Sequence, residues 1–440
     1  WDDARIEREI AVAESWARAV VEKSPDQRSL DHLRRWDAVL LDPFWGLACF
    51  ILIMGTLFSS IFWAAAPLMD LVDGGFSWLA ELVHIYLGTG PFADFIADGI
   101  IGGVGAVLVF VPQIFILFLG FTLLEDSGYL SRAATIVDRP LQMMGLSGRA
   151  FVPILSGFAC AVPAVMASRN IRSARERWIT VFIIPFMTCS ARLPVYALLL
   201  TFLFHDRPAW IPGLALTGLY IGALVLGAIA ASALHKILKR SADTHFLLEL
   251  PVYRWPKAAF TLRLAVRRTV SYVKKAGPTI FVFVLILWVG SHFPYQPEAS
   301  EDVQLRESVV GHVGRAIEPV FEPMGLDWRA GLGIISAFVA REVFVSSLAV
   351  IFAITDADDA GLQDGLLKSM GQATFADGRP VFTVGSVCGL LVFFMIALQC
   401  LSTTGVVWRE MGSWRYALGQ LIVMNVIGYL AAVAVAQALG

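Results

Sequence analysis

Pro185-Phe186-Met187-Thr188-Cys189-Ser190-Ala191-Arg192-Leu193-Pro194-Val195-Tyr196 decides the reading of this chain. The stretch lies inside an apolar run, 178–204, longer than the ~20 residues a helix needs to cross a bilayer. It nevertheless holds a thiol, two hydroxyls besides the tyrosine, a guanidinium and two prolines. An arginine at the centre of a membrane helix costs roughly 2.5–3.5 kcal/mol on insertion scales. Each proline removes a backbone hydrogen bond that lipid cannot replace. Such a segment is stable only when buried in protein or lining a polar cavity, and broken helices of this kind form the binding sites of many transporters. A kinked helix packed in a bundle is the plainer alternative, because proline is common in membrane helices.

The rest of the chain has a membrane protein's composition. It is 57% hydrophobic and only 16% charged, against about 25% charge in a soluble domain, and its mean hydropathy is +0.69. No basic arm or interleaving of basic and aromatic residues suits nucleic acid. The cysteines, at 49, 160, 189, 388 and 400, all sit in apolar runs and form no CxxC pair, so no disulfide framework is expected. The chain starts at Trp1 with no secretory signal, and part of a longer protein is expected.

Basic residues orient the spans. Residues 1–41 alternate charged and apolar positions as an amphipathic linker helix does, and Arg28, Arg34 and Arg35 put this segment in the cytoplasm. A first span, 44–66, leads to a connection, 67–99, with no Lys or Arg, read as external with a helix lying on the outer interface. A second span, 100–124, returns to Arg132, Arg139 and Arg149. The apolar stretch 150–167 contains Pro153, Gly157 and Pro163 and has basic residues on both flanks, which fits a re-entrant hairpin from the cytoplasmic side. The broken span 178–204 then goes out. The span 209–234 comes back to a connection, 235–277, with ten Lys or Arg against two acids.

The second half mirrors the first. A span at 278–293 goes out to an acidic connection. The stretch 330–354, with Arg341-Glu342 near its middle and acidic flanks, fits a hairpin from the outer face. Spans at 382–408 and 414–439 follow. Span, hairpin, broken span, span thus occurs twice with opposite orientation, and inverted repeats place substrate near the midplane between them. Ordinary spans with a misleading charge bias are the alternative. The expected fold is an all-α polytopic membrane protein of about seven full spans and two re-entrant hairpins. Its segments are the linker helix 1–41, the first span and external interfacial segment 42–99, a first repeat 100–234, the cytoplasmic basic connection 235–277, and a second repeat 278–440.

If the repeats correspond, Cys189 and Cys400 face each other, and Cys160 sits at the first hairpin's tip. Thiols with the hydroxyl of Ser190 and freed carbonyls form a mixed set suited to a divalent ion of intermediate softness such as Fe²⁺. Cys49 and Cys388 read as packing. Glu342, the acid deepest in an apolar run, is placed to neutralise a cation, relay a proton, or pair with Arg341 or Arg192. Glu125-Asp126 closes the second span as an exit site or a solvated helix end. Met187, Arg192 and Arg341 complete the candidates for pathway or gating. No histidine lies in the interior of a proposed full span, which argues against a Cys-His nucleophile, and no GxxxxGK[ST] phosphate loop is present.

Gly157-Phe158-Ala159-Cys160-Ala161-Val162-Pro163-Ala164-Val165-Met166-Ala167-Ser168-Arg169 resembles the first gate motif of the bacterial FeoB ferrous iron transporters, and residues 185–196 resemble the motif that follows it. Leu124-Glu125-Asp126-Ser127-Gly128-Tyr129, Ala340-Arg341-Glu342-Val343 and Arg409-Glu410-Met411-Gly412-Ser413-Trp414 are similar to further signatures of that family. Two positions depart from it. Ala161 stands where the family has asparagine, deleting an amide able to bind metal or cap a helix, and Arg341 stands in place of lysine, keeping the charge.

The resemblance implies ferrous iron uptake across a bacterial inner membrane, with the N-terminus cytoplasmic and Fe²⁺ as transported substrate rather than cofactor. It implies no enzymatic activity in this chain. GTP and Mg²⁺ would act only through an N-terminal G-protein domain, which precedes this region in the family. The lipid bilayer and the metal ion are the expected partners, with no nucleic acid and with homo-oligomerisation open. Transport of another divalent ion such as Mn²⁺, of an organic solute as in a nucleoside carrier, or an intramembrane cysteine enzyme are the alternatives.

Overall fold

The computed structural model describes residues 36–42, 44–88, 90–205, 207–208, 210–238, 253–295, 304, 307–339, 341, 343–352, 359–375, 377–397 and 400–440. Among them the protein is helical, and the sole β feature is an isolated bridge between Thr374 and Pro380. Four helical stretches are long and apolar enough to cross a membrane: Ala174–Leu203, Trp210–Ile237, Val384–Met411 and Trp414–Leu439. The protein is an all-α polytopic membrane protein.

Helix α1, Trp45–Leu87, runs for 43 residues, about 64 Å at about 1.5 Å per residue. It does not stop where the span-and-connection reading ends it. Pro67 lies inside it and forfeits one backbone bond without breaking the rod. Gly88, in the left-handed region (φ 75°), caps it by donating its N–H to the His84 carbonyl at 3.0 Å. The chain then reverses into α2 (Pro91–Asp94), a π-helical segment Phe95–Gly102, α3 (Gly103–Leu108) and α4 (Val111–Asp126). Small residues let the two arms approach: a Cβ at Gly120 would lie 2.1 Å from Leu57, and one at Gly105 would lie 3.1 Å from Phe76.

Gly128, also left-handed (φ 79°), turns the chain by 85° into α5, Tyr129–Met143. Read in sequence as a basic flank, 129–143 is an amphipathic helix that buries Arg132. Arg132 Nε donates to Asp37 Oδ1 at 2.7 Å, the Tyr253 hydroxyl donates to the same oxygen at 2.8 Å, and the guanidinium lies 3.7 Å from the Tyr253 ring centroid. The segment before the first span, the α5 helix and the basic connection are thereby tied together.

Beyond α5 the helices form two series of the same order. The first is α6 (Phe151–Ala159), α7 (Ala161–Ala167), α8 (Ala174–Ile183), α9 (Leu193–Leu203) and the continuous α10 (Trp210–Ile237). The long α11 (Ala258–His292) and α12 (Val309–Phe321) lead to the second: α13 (Trp328–Val339), α14 (Val343–Ile351), α15 (Asp359–Gln372), α16 (Val384–Ile396), α17 (Leu401–Met411) and the continuous α18 (Trp414–Leu439). In each series a pair of short helices separated by a break precedes an apolar stretch that is itself interrupted. The two interlock: Val195, Tyr196 and Leu199 of α9 belong to the core built by α13, α14 and α16. Helix α18 packs along α16, where a Cβ at Gly389 would lie 2.8 Å from the Ala432 carbonyl and one at Gly385 2.6 Å from that of Ala436.

Candidate functional site

Four helix interruptions meet between the two series. Each break frees carbonyls that a continuous helix would satisfy, and apolar surroundings offer them no water. The first break is at Cys160, extended at φ −155°, ψ 133°, between α6 and α7. Pro153 and Pro163 fall in the first turns of these half-helices, where a missing N–H costs nothing. The Ala159 carbonyl at the end of α6 accepts the Ser190 hydroxyl at 3.1 Å, so the first break is capped by the second.

The second break runs from Ile184 to Arg192. Pro185 has no N–H to give the Val181 carbonyl four residues back. Gln420, buried on α18, replaces it: its Nε2 donates to Val181 at 3.1 Å and to Phe182 at 3.3 Å. Arg192, wholly buried, donates to the carbonyls of Pro185 at 2.9 Å and Phe186 at 3.4 Å. The same guanidinium reaches across to the Ala397 carbonyl at 3.4 Å, the end of α16 at the fourth break. The third break, between α13 and α14, holds Arg341, whose Nη1 lies 3.4 Å from Cys189 Sγ. At the fourth, Cys400 Sγ and Ser402 Oγ are 3.1 Å apart. The buried hydroxyls of Thr188 and Tyr196 adjoin without a bond of good geometry, and that of Thr404 is unpaired.

The predicted residues divide accordingly. Cys160, Cys189, Ser190, Arg192, Arg341 and Cys400 all lie at the breaks, linked through Ala159–Ser190, Cys189–Arg341 and Arg192–Ala397. Met187 is buried and packs over Gly157 and Gly227, within 3.1 Å and 3.0 Å of where their Cβ atoms would be, a packing position as much as a pathway one. Glu342 lies outside the described residues. Glu125 and Asp126 stand apart from the thiols, against α11: Arg268 Nη2 donates to Glu125 Oε2 at 3.2 Å and Thr261 Oγ1 to Asp126 Oδ2 at 3.0 Å.

Glu125 borders a cavity of about 410 Å³ between α4, the α6–α7 pair and α11. Ser156 and Pro163, either side of the Cys160 break, line it, as do Arg169, Arg267 and Arg268. Nearby, Glu410 at the end of α17 is almost fully buried and clamped from the first series. Arg169 holds both its carboxylate oxygens, and Arg177 Nη2 donates to its backbone carbonyl at 2.6 Å. Sequence reasoning assigned no role to Gln420, Arg177 or Glu410. A glutamine in the middle of an apolar span was the signal for the first, and Arg409-Glu410 beside a left-handed Gly412 for the last.

Comparison with known proteins adds to this geometry. The Gate family model, described as nucleoside recognition, matches residues 107–202 and 273–414. A model of the ferrous iron transport protein B C terminus matches residues 216–268. The Fe(2+) transporter FeoB of Leptospira interrogans serogroup Icterohaemorrhagiae is 36% identical over 420 residues, covering 92% of this chain and 59% of that protein. That of Campylobacter jejuni is 36% identical over 407 residues, covering 91% and 64%. A Porphyromonas gingivalis protein named as a fusion of Fe(2+) transport protein A and Fe(2+) transporter FeoB is 34% identical over 410 residues, covering 86% and 48%. The chain therefore spans about half to two thirds of the length of these relatives. No solved structure matches it.

Proposed function

The chain belongs to the FeoB family, of which it spans the membrane part, and from that premise we propose that it carries Fe²⁺ across the bacterial inner membrane into the cytoplasm, through a thiol-containing site where the four helix breaks meet. The observation that carries this reading is the contact between Arg341 and Cys189. A thiolate is the metal-binding form of cysteine, and the Arg341 guanidinium lies 3.4 Å from this buried sulfur. It also stands where a cation bound to that thiolate would be. The ion and Arg341 then compete for Cys189, and exchange between them moves the α13–α14 break.

The rest of the ligand set follows from the same geometry. Cys189 and Cys400 supply soft donors, Ser190 and Ser402 hydroxyls, and Ala159 and Ala397 carbonyls. Such a mixture suits Fe²⁺, which lies between the thiol-loving and the oxygen-loving divalent ions. Among the described residues no carboxylate pairs with Arg192 or Arg341, and an unpaired buried charge is costly. Glu342, beside Arg341 in sequence, is the assigned counter-charge. On the cytoplasmic side the cavity between Cys160 and Glu125 serves as the exit. There the Arg268–Glu125 pair repeats the pattern of a carboxylate held by a guanidinium until a cation displaces it.

In this reading the chain does no covalent chemistry. Its N-terminus faces the cytoplasm, and GTP with Mg²⁺ acts through the G-protein domain of the full-length protein. The test is transport of Fe²⁺, Mn²⁺, Zn²⁺ and uridine, side by side, by the full-length protein in sealed vesicles. Preferential Fe²⁺ uptake, abolished by Cys189→Ser with Cys400→Ser, supports the proposal. Unchanged Fe²⁺ uptake by that double variant at matched protein content defeats the thiol site, and uridine uptake without metal uptake defeats the substrate class.

A further inference from the structure

The turn that joins α1 to α2 brings three metal-ligating side chains together far from the thiols. His84 lies in the last turn of α1, Asp94 closes α2, and Asp98 follows one turn later in the π-helical segment. Left-handed Gly88, bonded to the carbonyl of His84 itself, sets the reversal that folds α2 back on this imidazole. His84 Nδ1 is 3.8 Å from Asp94 Oδ1, and one donor atom from each of the three residues lies within 4.8 Å of the others. First-row divalent ions bind nitrogen and oxygen at about 2.0–2.2 Å, which puts neighbouring donors roughly 3–4 Å apart. Small side-chain rotations close that difference.

A second imidazole stands beside this group. Helix α11 packs its outer end on the π-helical segment: Trp288 meets Phe95 edge-on at 5.4 Å and lies over Gly99, and His292 stacks on Trp288 at 4.0 Å. His292 Nδ1 is 3.1 Å from the Trp288 carbonyl, the pairing that fixes a ligand histidine's tautomer and leaves Nε2 its lone pair. Two carboxylates crowded together with two imidazoles are what a divalent cation would relieve.

We propose that His84, Asp94 and Asp98 form a second divalent-cation site, on the outer face, built from nitrogen and oxygen donors with His292 as a supporting ligand. Such a set takes Fe²⁺, Mn²⁺ or Co²⁺ without thiols. It captures the ion before the softer site in the core receives it. That order rests on the transport reading above, but binding at the outer site does not. About 28 residues separate Asp98 from Asp126 along one nearly continuous arm, about 42 Å, more than the ~30 Å hydrocarbon core. The outer site and the Glu125–Arg268 pair therefore lie at opposite ends of the bilayer.

The probe is Mn²⁺, whose free ion has a six-line paramagnetic resonance signal that fades on binding. The experiment uses the purified full-length protein carrying Cys189→Ser and Cys400→Ser, so that the core site is disabled. One bound equivalent is expected. It should be lost in the additional Asp94→Asn with Asp98→Asn variant, and its affinity should fall about tenfold with His84→Ala or with His292→Ala, the range seen when a supporting ligand is removed. An unchanged thermal unfolding profile without metal shows that these variants still fold. Unaltered Mn²⁺ binding in the Asp94→Asn, Asp98→Asn variant overturns the proposal, as does a starting protein that binds no Mn²⁺. Failure of the transport reading looks different: the outer equivalent persists while Fe²⁺ uptake is indifferent to the thiols.

Discussion

Gln420 donates its side-chain amide to the Val181 carbonyl at 3.1 Å, making the bond that Pro185 leaves unmade. Residues 239 positions apart thus complete one helical ladder. Replacing Gln420 by leucine keeps the volume and strands two carbonyls in an apolar core. An unsatisfied buried acceptor costs about 1–3 kcal/mol. The expected outcome is a lower unfolding temperature in detergent and less folded protein, with transport per folded molecule largely kept. Wild-type stability in this variant would mean that the breaks are satisfied some other way.

Cys189 and Cys49 give opposite expectations from the same side chain. Cys49 sits half-buried in the unbroken α1, away from the helix breaks, and Cys49→Ala should leave iron uptake near normal. Cys189→Ala removes the sulfur that Arg341 contacts, and should abolish most Fe²⁺ uptake while shifting preference toward harder ions such as Mn²⁺. Vesicle uptake at matched membrane expression checks this, and equal rates for the two variants would make Cys189 a packing residue.

Glu410 is the only described carboxylate paired with Arg169 and Arg177, and it joins the end of α17 to the first series. Glu410→Gln keeps the shape and removes the charge. The two ends should then part more often, exposing the Cys160 break. The rate at which a water-soluble maleimide modifies Cys160 is expected to rise severalfold. No change in that rate would show that the clamp does not hold this face shut.

Asp37 carries a pH dependence whose sign is fixed. Burial raises its carboxyl, but the hydrogen bonds from Arg132 and Tyr253 and the charge of Arg132 outweigh that and hold it below the usual 3.8. A depressed folded value means stability that is fully present above 3.8 and lost as pH falls through the folded value. Asp37→Asn should therefore unfold more easily than the wild type at pH 7, by about 1.5–3 kcal/mol for a bond to a charged group, and the gap should close below pH 3.8. A gap of constant size across that range would place the loss in packing instead.

Much of this arrangement was legible in the chain. Proline, arginine and cysteine in one apolar run announce a broken helix in protein surroundings, and Cys160, Arg341 and Cys400 mark the other breaks for the same reason. Charge bias says where a span leaves the bilayer and not where a helix ends: α1 continues through Pro67 to Leu87, because a single proline costs one bond and the following residues still favour helix. Arg132 read only as a basic flank and is buried, since its partner Asp37 lies 95 residues away and only the fold unites them. Gln420 shows the same limit. A polar side chain in a span declares that it needs a partner, without saying which carbonyl has been orphaned.

A rod cut at its middle bends without tearing. Among the described residues, the half-helices at these interruptions are tied to their neighbours by a hydroxyl, an amide or a guanidinium on side chains able to swing. Tilting one half relative to the other therefore strains a handful of such contacts, each worth about 0.5–3 kcal/mol, while every complete turn stays intact. The core of the protein is stiff along each half-helix and compliant between them. An ion gripping two halves from different breaks would work as a wedge on that array of joints, converting the shortening of a few coordination bonds into a rocking of whole half-helices.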